Sequence, residues 1–317
     1  MNALIKILSY GGGLDSYGAL LDAIDRGELP DYVVFCDVSN GSLTADPTDP
    51  GEWPGTYRHI REVVAPLCAK HGIRFEYIDT DRYPIRRAGN WRSLFAYYRA
   101  KGQIPVCSKR FRNCTAMAKV ERFERWLDDT FPGQTVEVWI GFEAGEEDRA
   151  DSDPNAGKTR KPRADRAIRI NRFPLIERGL CRCRIEKMVR AKGLAVPRKS
   201  ACTFCPFGKR CDWRSLRDQL PETWGKVVAL EADKPLTSNG VKMGLKGQGR
   251  LRVDGSRAPT KLLPEWTAMV DQEAKSAPCG HCGAAVKATK STGVDYLAPA
   301  RKAAPRASQG VQLALAL

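Results

Sequence analysis

The N-terminal segment constrains the fold more than any other part of the sequence. Residues 4–10 read Leu-Ile-Lys-Ile-Leu-Ser-Tyr, a short apolar run typical of a buried strand, and three glycines follow it directly. From Asp15 to Arg26 apolar residues recur at helical spacing, and Gly27 suits a helix C-cap. A strand, a glycine turn and a helix in this order predict the first unit of a parallel α/β sheet.

The same alternation continues along the chain. Further strands are predicted over 32–36, 75–78 and 136–141, and helices over 57–71, about 91–101 and 113–130. Strands that alternate with helices specify a mostly parallel sheet covered on both faces. The sequence therefore predicts an α/β protein with a Rossmann-like sheet.

Three parts of the chain differ in composition. We expect a nucleotide-binding α/β domain over 1–150, a basic, cysteine-rich region over 151–232, and a Gly-, Lys- and Pro-rich extension over 233–317. Within them we expect a flexible loop over 143–166, a helix over 182–192, a helical stretch over 212–232, and a disordered tail over 298–317. The cysteine-containing C-terminal part is predicted to be small and helical.

No stretch is long and apolar enough to predict a membrane span, and the N-terminus does not resemble a signal peptide. We therefore expect a cytoplasmic location.

The net charge of +15 is concentrated in one segment: residues 156–217 hold 19 Lys/Arg and 4 Asp/Glu, whereas the remainder holds 33 of each sign. Such a segment favours a polyanionic partner, either nucleic acid or nucleotide phosphates. The alternative is a solvated surface.

The glycine loop suits phosphate binding. Glycines allow positive φ and close approach of backbone N–H groups to oxygen, and the helix N-terminus adds partial positive charge. Asp15 and Ser16 stand at the helix start, where Ser16 can donate to a phosphate. The spacing differs from both GxxxxGK[ST] and GxGxxG. A plain glycine turn before a capped helix is the alternative.

Gly11-Gly12-Gly13-Leu14-Asp15-Ser16 resembles the SGGxDS loop of the PP-loop ATP pyrophosphatase superfamily. The match is closest to its PAPS reductase-like branch, since four later blocks resemble that branch in order. These are Arg112-Asn113-Cys114-Thr115 with Lys119, Gly141-Phe142-Glu143-Ala144 with Glu147 and Arg149, Phe173-Pro174-Leu175-Ile176, and Cys202-Thr203-Phe204-Cys205-Pro206 with Trp213. The resemblance covers about residues 4–232 and implies a HUP-type sheet.

The resemblance implies an enzyme that binds ATP or an adenylyl sulfate with Mg²⁺ and catalyses nucleotidyl or sulfur transfer. The implied nucleotide-binding residues are Gly11, Gly12, Gly13, Asp15, Ser16, Asp37 and Glu147, and the implied catalytic residues are Asp15, Lys119 and Arg149. A small sulfonucleotide is the first substrate expectation. The alternatives are a nucleic acid, as in related tRNA thiolation and DNA phosphorothioation proteins, and a binding protein without turnover. A sulfur donor or reductant protein and an oligomer are possible partners.

Some positions depart from the family pattern. Gly11 replaces the usual first Ser of the loop, and Leu14 stands where Lys is frequent. Glu143 replaces the Arg of the family's G-I-R-A stretch, and no E-C-G-I-H motif occurs to accept a sulfonate. These departures argue against a classical assimilatory reductase.

Cys202, Cys205 and Cys211 lie within ten residues of one another among basic residues, which are expected to lower thiol pKa and favour metal binding. A 4Fe–4S cluster or a zinc ion needs four ligands. By resemblance to APS reductases, Cys114 is the fourth, although Thr115 stands in place of the family's second cysteine there; Cys211 or Cys107 would supply the missing ligand. An iron–sulfur cluster is predicted on Cys114, Cys202, Cys205 and Cys211, with zinc or free thiols as alternatives.

Two further groups of cysteines occur. Cys181 and Cys183 at a helix start are interpreted as partly exposed helix residues, with a redox thiol as the alternative. Cys279-Gly280-His281-Cys282 forms half of a zinc knuckle, and the second pair that a zinc ribbon needs does not follow it. Zinc binding with help from His281, or pairing across a dimer, is left open. The remaining histidines, His59 and His71, are expected on the surface.

Overall fold

A computed structural model describes residues 4–40, 49–105, 113–153, 164–234, 244–246, 261–269 and 279–282. Its centre is a parallel sheet of five strands in the order β3-β2-β1-β6-β7. The strands are β1 (Ile5–Ser9), β2 (Tyr32–Cys36), β3 (Arg74–Ile78), β6 (Thr135–Ile140) and β7 (Ile168–Arg172), and a short antiparallel pair consists of β4 (Ile85–Arg86) and β5 (Asn90–Trp91). The predicted α/β fold with a mostly parallel sheet is confirmed.

The helices are short, and two of them contain π-helical turns. The helices before β6 are α1 (Leu14–Arg26), α2 (Pro54–His59), α3 (Ala65–Lys70), α4 (Leu94–Ala100), α5 (Asn113–Thr115) and α6 (Glu121–Thr130). The π-helix Ile60–Val64 joins α2 to α3, and the π-helix Ala116–Val120 joins α5 to α6. Those after β6 are α7 (Glu147–Asp151), α8 (Pro174–Glu177), α9 (Arg182–Ala191), α10 (Arg210–Gln219), α11 (Pro221–Ala232) and α12 (Leu263–Ala268).

Helices cover both faces of the sheet because successive strand residues point to opposite faces. On one face Leu8 and Val33 pack with α1, the α2–α3 helix and α9. On the other face Ile7 and Val34 pack with α6. Gly18 lets α1 and α9 approach closely, since a Cβ at this position would lie 2.3 Å from a methyl carbon of Ile185.

A second hydrophobic cluster joins α4 to the cysteine-containing C-terminal helices. Buried Glu231 of α11 connects separate segments there, because its carboxylate accepts backbone hydrogen bonds from Leu245 at 2.8 Å and Leu263 at 2.6 Å. The helical stretch predicted over 212–232 is present as two helices: α10 ends at Gln219 and α11 begins at Pro221. Proline lacks an N–H and favours the first turn of a new helix.

Several elements were not predicted. Strand β7 lies at the sheet edge beside β6, and its alternating Ile and Arg residues resemble a polar loop in the sequence. The loop predicted over 143–166 contains α7, and its residues 154–163 lie outside the described part of the chain. The disordered tail predicted over 298–317 also lies outside it.

In the described residues, no helix has the length and hydropathy that crossing a membrane requires.

Candidate nucleotide site and neighbouring thiol groups

The predicted phosphate loop connects β1 to α1 at the carboxyl edge of the sheet. Gly12 has a φ of +78°, which favours glycine. A Cβ on Gly12 would lie 2.6 Å from Cγ2 of Thr56, and one on Gly13 would lie 3.4 Å from Cβ of Ser200. The loop therefore needs Gly12 for its conformation and for the close approach of Thr56.

Ser16 holds the shape of this loop. The Gly11 N–H donates to Ser16 Oγ at 3.2 Å, and the Ser16 hydroxyl donates to the Gly13 carbonyl at 3.2 Å. The end of β6 packs on the same turn, since a Cβ on Gly141 would lie 2.9 Å from the Ser16 nitrogen. The first N–H groups of α1 have no partner within the helix and suit an anion. A direct bond from Ser16 to phosphate stays a prediction.

Asp15 places a carboxylate at the start of α1. Its Oδ1 is buried without a hydrogen-bond partner among the described residues, and its Oδ2 lies 3.6 Å from Nη1 of Arg182. Burial raises the pKa of Asp15, while Arg182 lowers it and Glu146 raises it further. An unpartnered buried carboxylate oxygen is costly, so this atom suits a cation or a ligand donor.

Lys119 pairs with Glu52, a residue that the sequence did not single out. Lys119 Nζ lies 2.7 Å from Glu52 Oε1, and the Glu52 side chain is fully buried. Burial lowers the pKa of Lys119, but attraction to Glu52 outweighs it and leaves the pKa above its ordinary value. Ser200 donates to the other Glu52 oxygen at 3.4 Å. The pair therefore adjoins the phosphate loop, which Ser200 contacts at Gly12 and Gly13.

Asp37 is fully buried just after β2. Its carboxylate accepts hydrogen bonds from Tyr57 at 2.6 Å, from Tyr77 at 2.5 Å and from the Ser39 N–H at 3.2 Å. Burial raises the pKa of Asp37, and the bonds from Tyr57 and Tyr77 lower it. Because both carboxylate oxygens already have donors within the protein, Asp37 fixes the carboxyl end of β2. Its contact with a nucleotide stays a prediction.

Glu147 and Arg149 lie at the start and middle of α7. The Glu147 carboxylate accepts from the Gly145 N–H at 2.9 Å. Arg149 pairs with Glu146, and its guanidinium lies 4.1 Å from the ring centre of Phe142. Arg149 also acts electrostatically on Asp15, whose pKa it lowers. These residues line the same edge of the sheet as the loop, and their catalytic and binding roles stay predictions.

The predicted cluster ligands Cys202, Cys205 and Cys114 influence one another electrostatically. The expectation of lowered thiol pKa is wrong for two of them. Burial raises the pKa of Cys202, where Glu52 adds to the rise and Lys119 opposes it, and burial also raises the pKa of Cys205. Desolvation of a thiolate outweighs the nearby cations. Cys211 lies in the first turn of α10, and Cys107 lies outside the described residues.

Four other cysteines meet in space. Cys181, Cys183, Cys279 and Cys282 place their sulfur atoms within 4.8 Å of one another, and among the described residues this is the group that meets the geometry of a metal site. Cys181 is fully buried, so its assignment as a partly exposed helix residue is wrong. The second pair for the Cys279–Cys282 half-knuckle exists: it precedes that half in the sequence instead of following it. A set of four thiols suits either zinc or an iron–sulfur cluster.

The four-thiol group adjoins the phosphate loop through Arg182. This residue lies between Cys181 and Cys183, and its backbone N–H donates to Glu143 Oε2 at 2.7 Å. Its guanidinium contacts Asp15 as described above. His281 lies beside the same helix start, since its Nε2 would be 3.6 Å from a Cβ on Gly179. The sequence offered no signal for this meeting, because about a hundred residues separate the two cysteine pairs.

Part of the basic segment is neutralised within the protein. Arg178 pairs with Asp22, Lys192 with Asp25, and Arg198 with Asp212. Lys187 and Lys199 are exposed, and Lys199 acts electrostatically on Asp15. Among the described residues, several cations of this segment are therefore held in ion pairs within the protein.

No protein-family model matches this sequence, and no curated protein matches it. Among solved structures, the chain is similar to the U34-tRNA thiolase NcsA from Methanococcus maripaludis with its 4Fe–4S cluster. The sequences are 14% identical, the match covers 86% of this chain and 84% of that chain, and the TM-score is 0.39. The fold and site by themselves define an α/β protein with a glycine loop at the carboxyl edge of a parallel sheet.

Proposed function

We propose that this chain is a PP-loop enzyme that binds ATP with Mg²⁺ and activates an atom of a nucleic acid for modification of the thiolation or phosphorothioation type. The observation that carries the proposal is the buried, unpartnered Oδ1 of Asp15 at the head of the glycine loop. Carboxylate oxygens are preferred Mg²⁺ ligands, and Mg²⁺ in nucleotide sites bridges one or two carboxylates to phosphates. Asp15 therefore fits the metal that ATP brings.

The surrounding groups suit a triphosphate. The N–H groups at the start of α1 bind anionic oxygens, and exposed Lys199 adds positive charge near Asp15. Lys119 is held in its charged form by Glu52. A fixed ammonium close to the loop stabilises negative charge that develops during phosphoryl or nucleotidyl transfer.

The proposed reaction is an adenylyl transfer. An oxygen of the nucleic acid attacks the α-phosphorus of ATP, a new O–P bond forms, and the bond from that phosphorus to the bridging oxygen breaks. The electron pair leaves on pyrophosphate, whose charge the Lys119 ammonium offsets; Asp15 would hold a Mg²⁺ ion that would supply further charge compensation there. A sulfide-level nucleophile (HS⁻) from a sulfur donor then attacks the carbon or phosphorus atom that bears the adenylylated oxygen. A bond from that atom to sulfur forms, its bond to the AMP oxygen breaks, AMP leaves with the electron pair, and the sulfur releases its proton to solvent.

A nucleic acid is favoured as acceptor over a small sulfonucleotide for two reasons. The sequence lacks the E-C-G-I-H motif with which the related reductases accept a sulfonate. The chain also carries a net charge of +15, which a polyanion neutralises better than a nucleotide does. A sulfonucleotide substrate remains the second candidate, supported by the four sequence blocks that resemble the PAPS reductase-like branch.

An iron–sulfur cluster on the thiols near Lys119 is part of this proposal, supported by the mutual electrostatic influence of Cys114, Cys202 and Cys205. Cys114, Cys202 and Cys205 would hold it together with Cys211, and a cluster so held would position a sulfur donor or shape the site. Within the protein, the backbone bridge between Glu52 and Cys202 ties these thiols to the ion pair beside the loop. This arrangement would keep the sulfur chemistry next to the activated acceptor.

The direct test measures pyrophosphate and AMP release from Mg–ATP, with and without a mixed tRNA pool or duplex DNA. We expect release that depends on nucleic acid, and its loss in Asp15→Asn. Asp25→Asn is the matched control, because Asp25 lies on the same helix and pairs with Lys192 at a distance from the loop.

Two results would contradict the proposal. Equal pyrophosphate release by wild type and Asp15→Asn would remove Asp15 from the metal site. Turnover of adenylyl sulfates without any response to ATP and nucleic acid would replace the proposed acceptor with a sulfonucleotide.

A further inference from the structure

The group of Cys181, Cys183, Cys279 and Cys282 is separate from the thiols assigned to the proposed reaction. Its members come from two places, the start of α9 and a turn over residues 279–282. All four sulfur atoms lie within 4.8 Å of one another. Hydrophobic packing does not explain this arrangement, because Cys183, Cys279 and Cys282 are only partly buried.

We infer that these four cysteines bind one zinc ion, which fastens residues 279–282 to the start of α9. A tetrahedral zinc ion with Zn–S bonds of about 2.3 Å requires its sulfur ligands to lie about 3.8 Å apart. The observed limit of 4.8 Å fits a single ion. An iron–sulfur cluster holds its thiolates on separate iron atoms and spreads them farther apart.

The local backbone supports thiolate ligands at both ends. Cys181 is the N-cap of α9 and Cys183 lies in its first turn, where the helix N-terminus favours negative charge. Cys279 and Cys282 have the two-residue spacing of a zinc-binding turn. His281 is not a member of the four-ligand group. Four protein ligands close the coordination sphere, which is characteristic of structural zinc.

The ion would also position the candidate nucleotide site. Arg182 lies between two of the ligands, and it contacts Asp15 and Glu143. Fixing Cys181 and Cys183 therefore fixes the approach of Arg182 to the phosphate loop. The zinc assignment itself does not depend on the reaction proposed above.

The test is metal analysis of the full chain with peptide-level alkylation mapping. We expect one zinc ion per chain to be lost in Cys279→Ser/Cys282→Ser and retained in Cys202→Ser/Cys205→Ser, which is the matched control at the other thiol group. In the wild type, all four cysteines should resist alkylation until a zinc chelator is added. This readout does not require any variant to fold.

Three outcomes would overturn the inference. One is zinc content that is unchanged in Cys279→Ser/Cys282→Ser. Another is rapid alkylation of Cys183, Cys279 and Cys282 in the wild type without chelator. The third is loss of iron and sulfide, instead of zinc, when these cysteines are replaced.

Discussion

Two ion pairs connect the phosphate loop to the two thiol groups, and they differ in burial. Glu52–Lys119 adjoins Cys202, and its side chains are 0% and 30% exposed. Asp15–Arg182 adjoins Cys181 and Cys183, and its side chains are 24% and 46% exposed. A buried charge depends on its partner for stability, whereas an exposed pair contributes little. The first pair therefore contributes to stability as well as to the local charge, and the second mainly orients the carboxylate that we propose as a metal ligand.

The largest effect on stability is expected for Lys119→Met. This change leaves the Glu52 carboxylate buried without its cation, so the free energy of unfolding in urea should fall by about 3–5 kcal/mol. The matched control is Lys70→Met at an exposed helix position, which should change stability by less than about 0.5 kcal/mol. The double variant Glu52→Gln/Lys119→Met should recover much of the loss. If the single variant is as stable as wild type, the pair is not buried as described.

The next effect concerns the thiol group beside Arg182. Adding a zinc chelator should lower the free energy of unfolding, by about 2.7 kcal/mol where free zinc had been at one hundred times its Kd. Cys279→Ser/Cys282→Ser should be less stable than wild type and insensitive to the chelator. An equal chelator response in both proteins would show that the stabilising metal lies elsewhere.

Asp15→Asn is expected to raise the stability of the nucleotide-free protein and to abolish its response to ATP. Because burial raises the pKa of Asp15 in the folded chain, the folded state binds this proton more tightly than the unfolded state. The free energy of unfolding therefore falls as pH rises from the pKa of Asp15 in the unfolded chain to its raised pKa in the folded chain. Above that range the loss of stability stays constant. We expect the variant to be more stable than wild type at neutral pH without nucleotide, yet to lose the ATP-induced rise in Tm. Lower stability at neutral pH would contradict this account.

The smallest effect on stability is expected for Arg182→Ala. The Asp15–Arg182 contact is long and partly exposed, so the loss should stay within about 1 kcal/mol. Its consequence should appear in the Kd for Mg–ATP, which should rise because Asp15 loses one group that orients it. Calorimetric titration measures this change, with Arg190→Ala farther along α9 as the control. A large loss of stability would instead show that the folded state depends on Arg182 as it is expected to depend on Lys119.

The sequence predicted the elements whose signals are local. The apolar strand before Gly11 and the glycine turn fixed the place of the phosphate loop, and the alternation of strands and helices predicted the parallel sheet. Strand β7 was missed because its arginines are polar, and some of their partners, such as Glu137 of β6 for Arg172, are brought close only by folding. The break before Pro221 was missed because the apolar spacing continues through it.

Parts of the candidate site depended on contacts between distant residues. Glu52 has no local motif, and its importance comes from burial beside Lys119. The pKa of Cys202 depends on how deeply the thiol is buried, which the nearby basic residues of the sequence do not report. His59 was expected on the surface, but it packs edge-on against Tyr17 with ring centres 4.7 Å apart, and burial lowers its pKa to about 4.

The sequence by itself determined the class of fold and the location of a glycine loop at a strand end, because hydrophobic periodicity and glycine conformation act over a few residues. Only the tertiary structure brought Cys181 and Cys183 to Cys279 and Cys282. It also left Asp15 Oδ1 buried without a partner. Both features arise where chain segments far apart in sequence pack together. The burial and the contacts that produce them therefore exist only in the folded chain and cannot be read from any one segment.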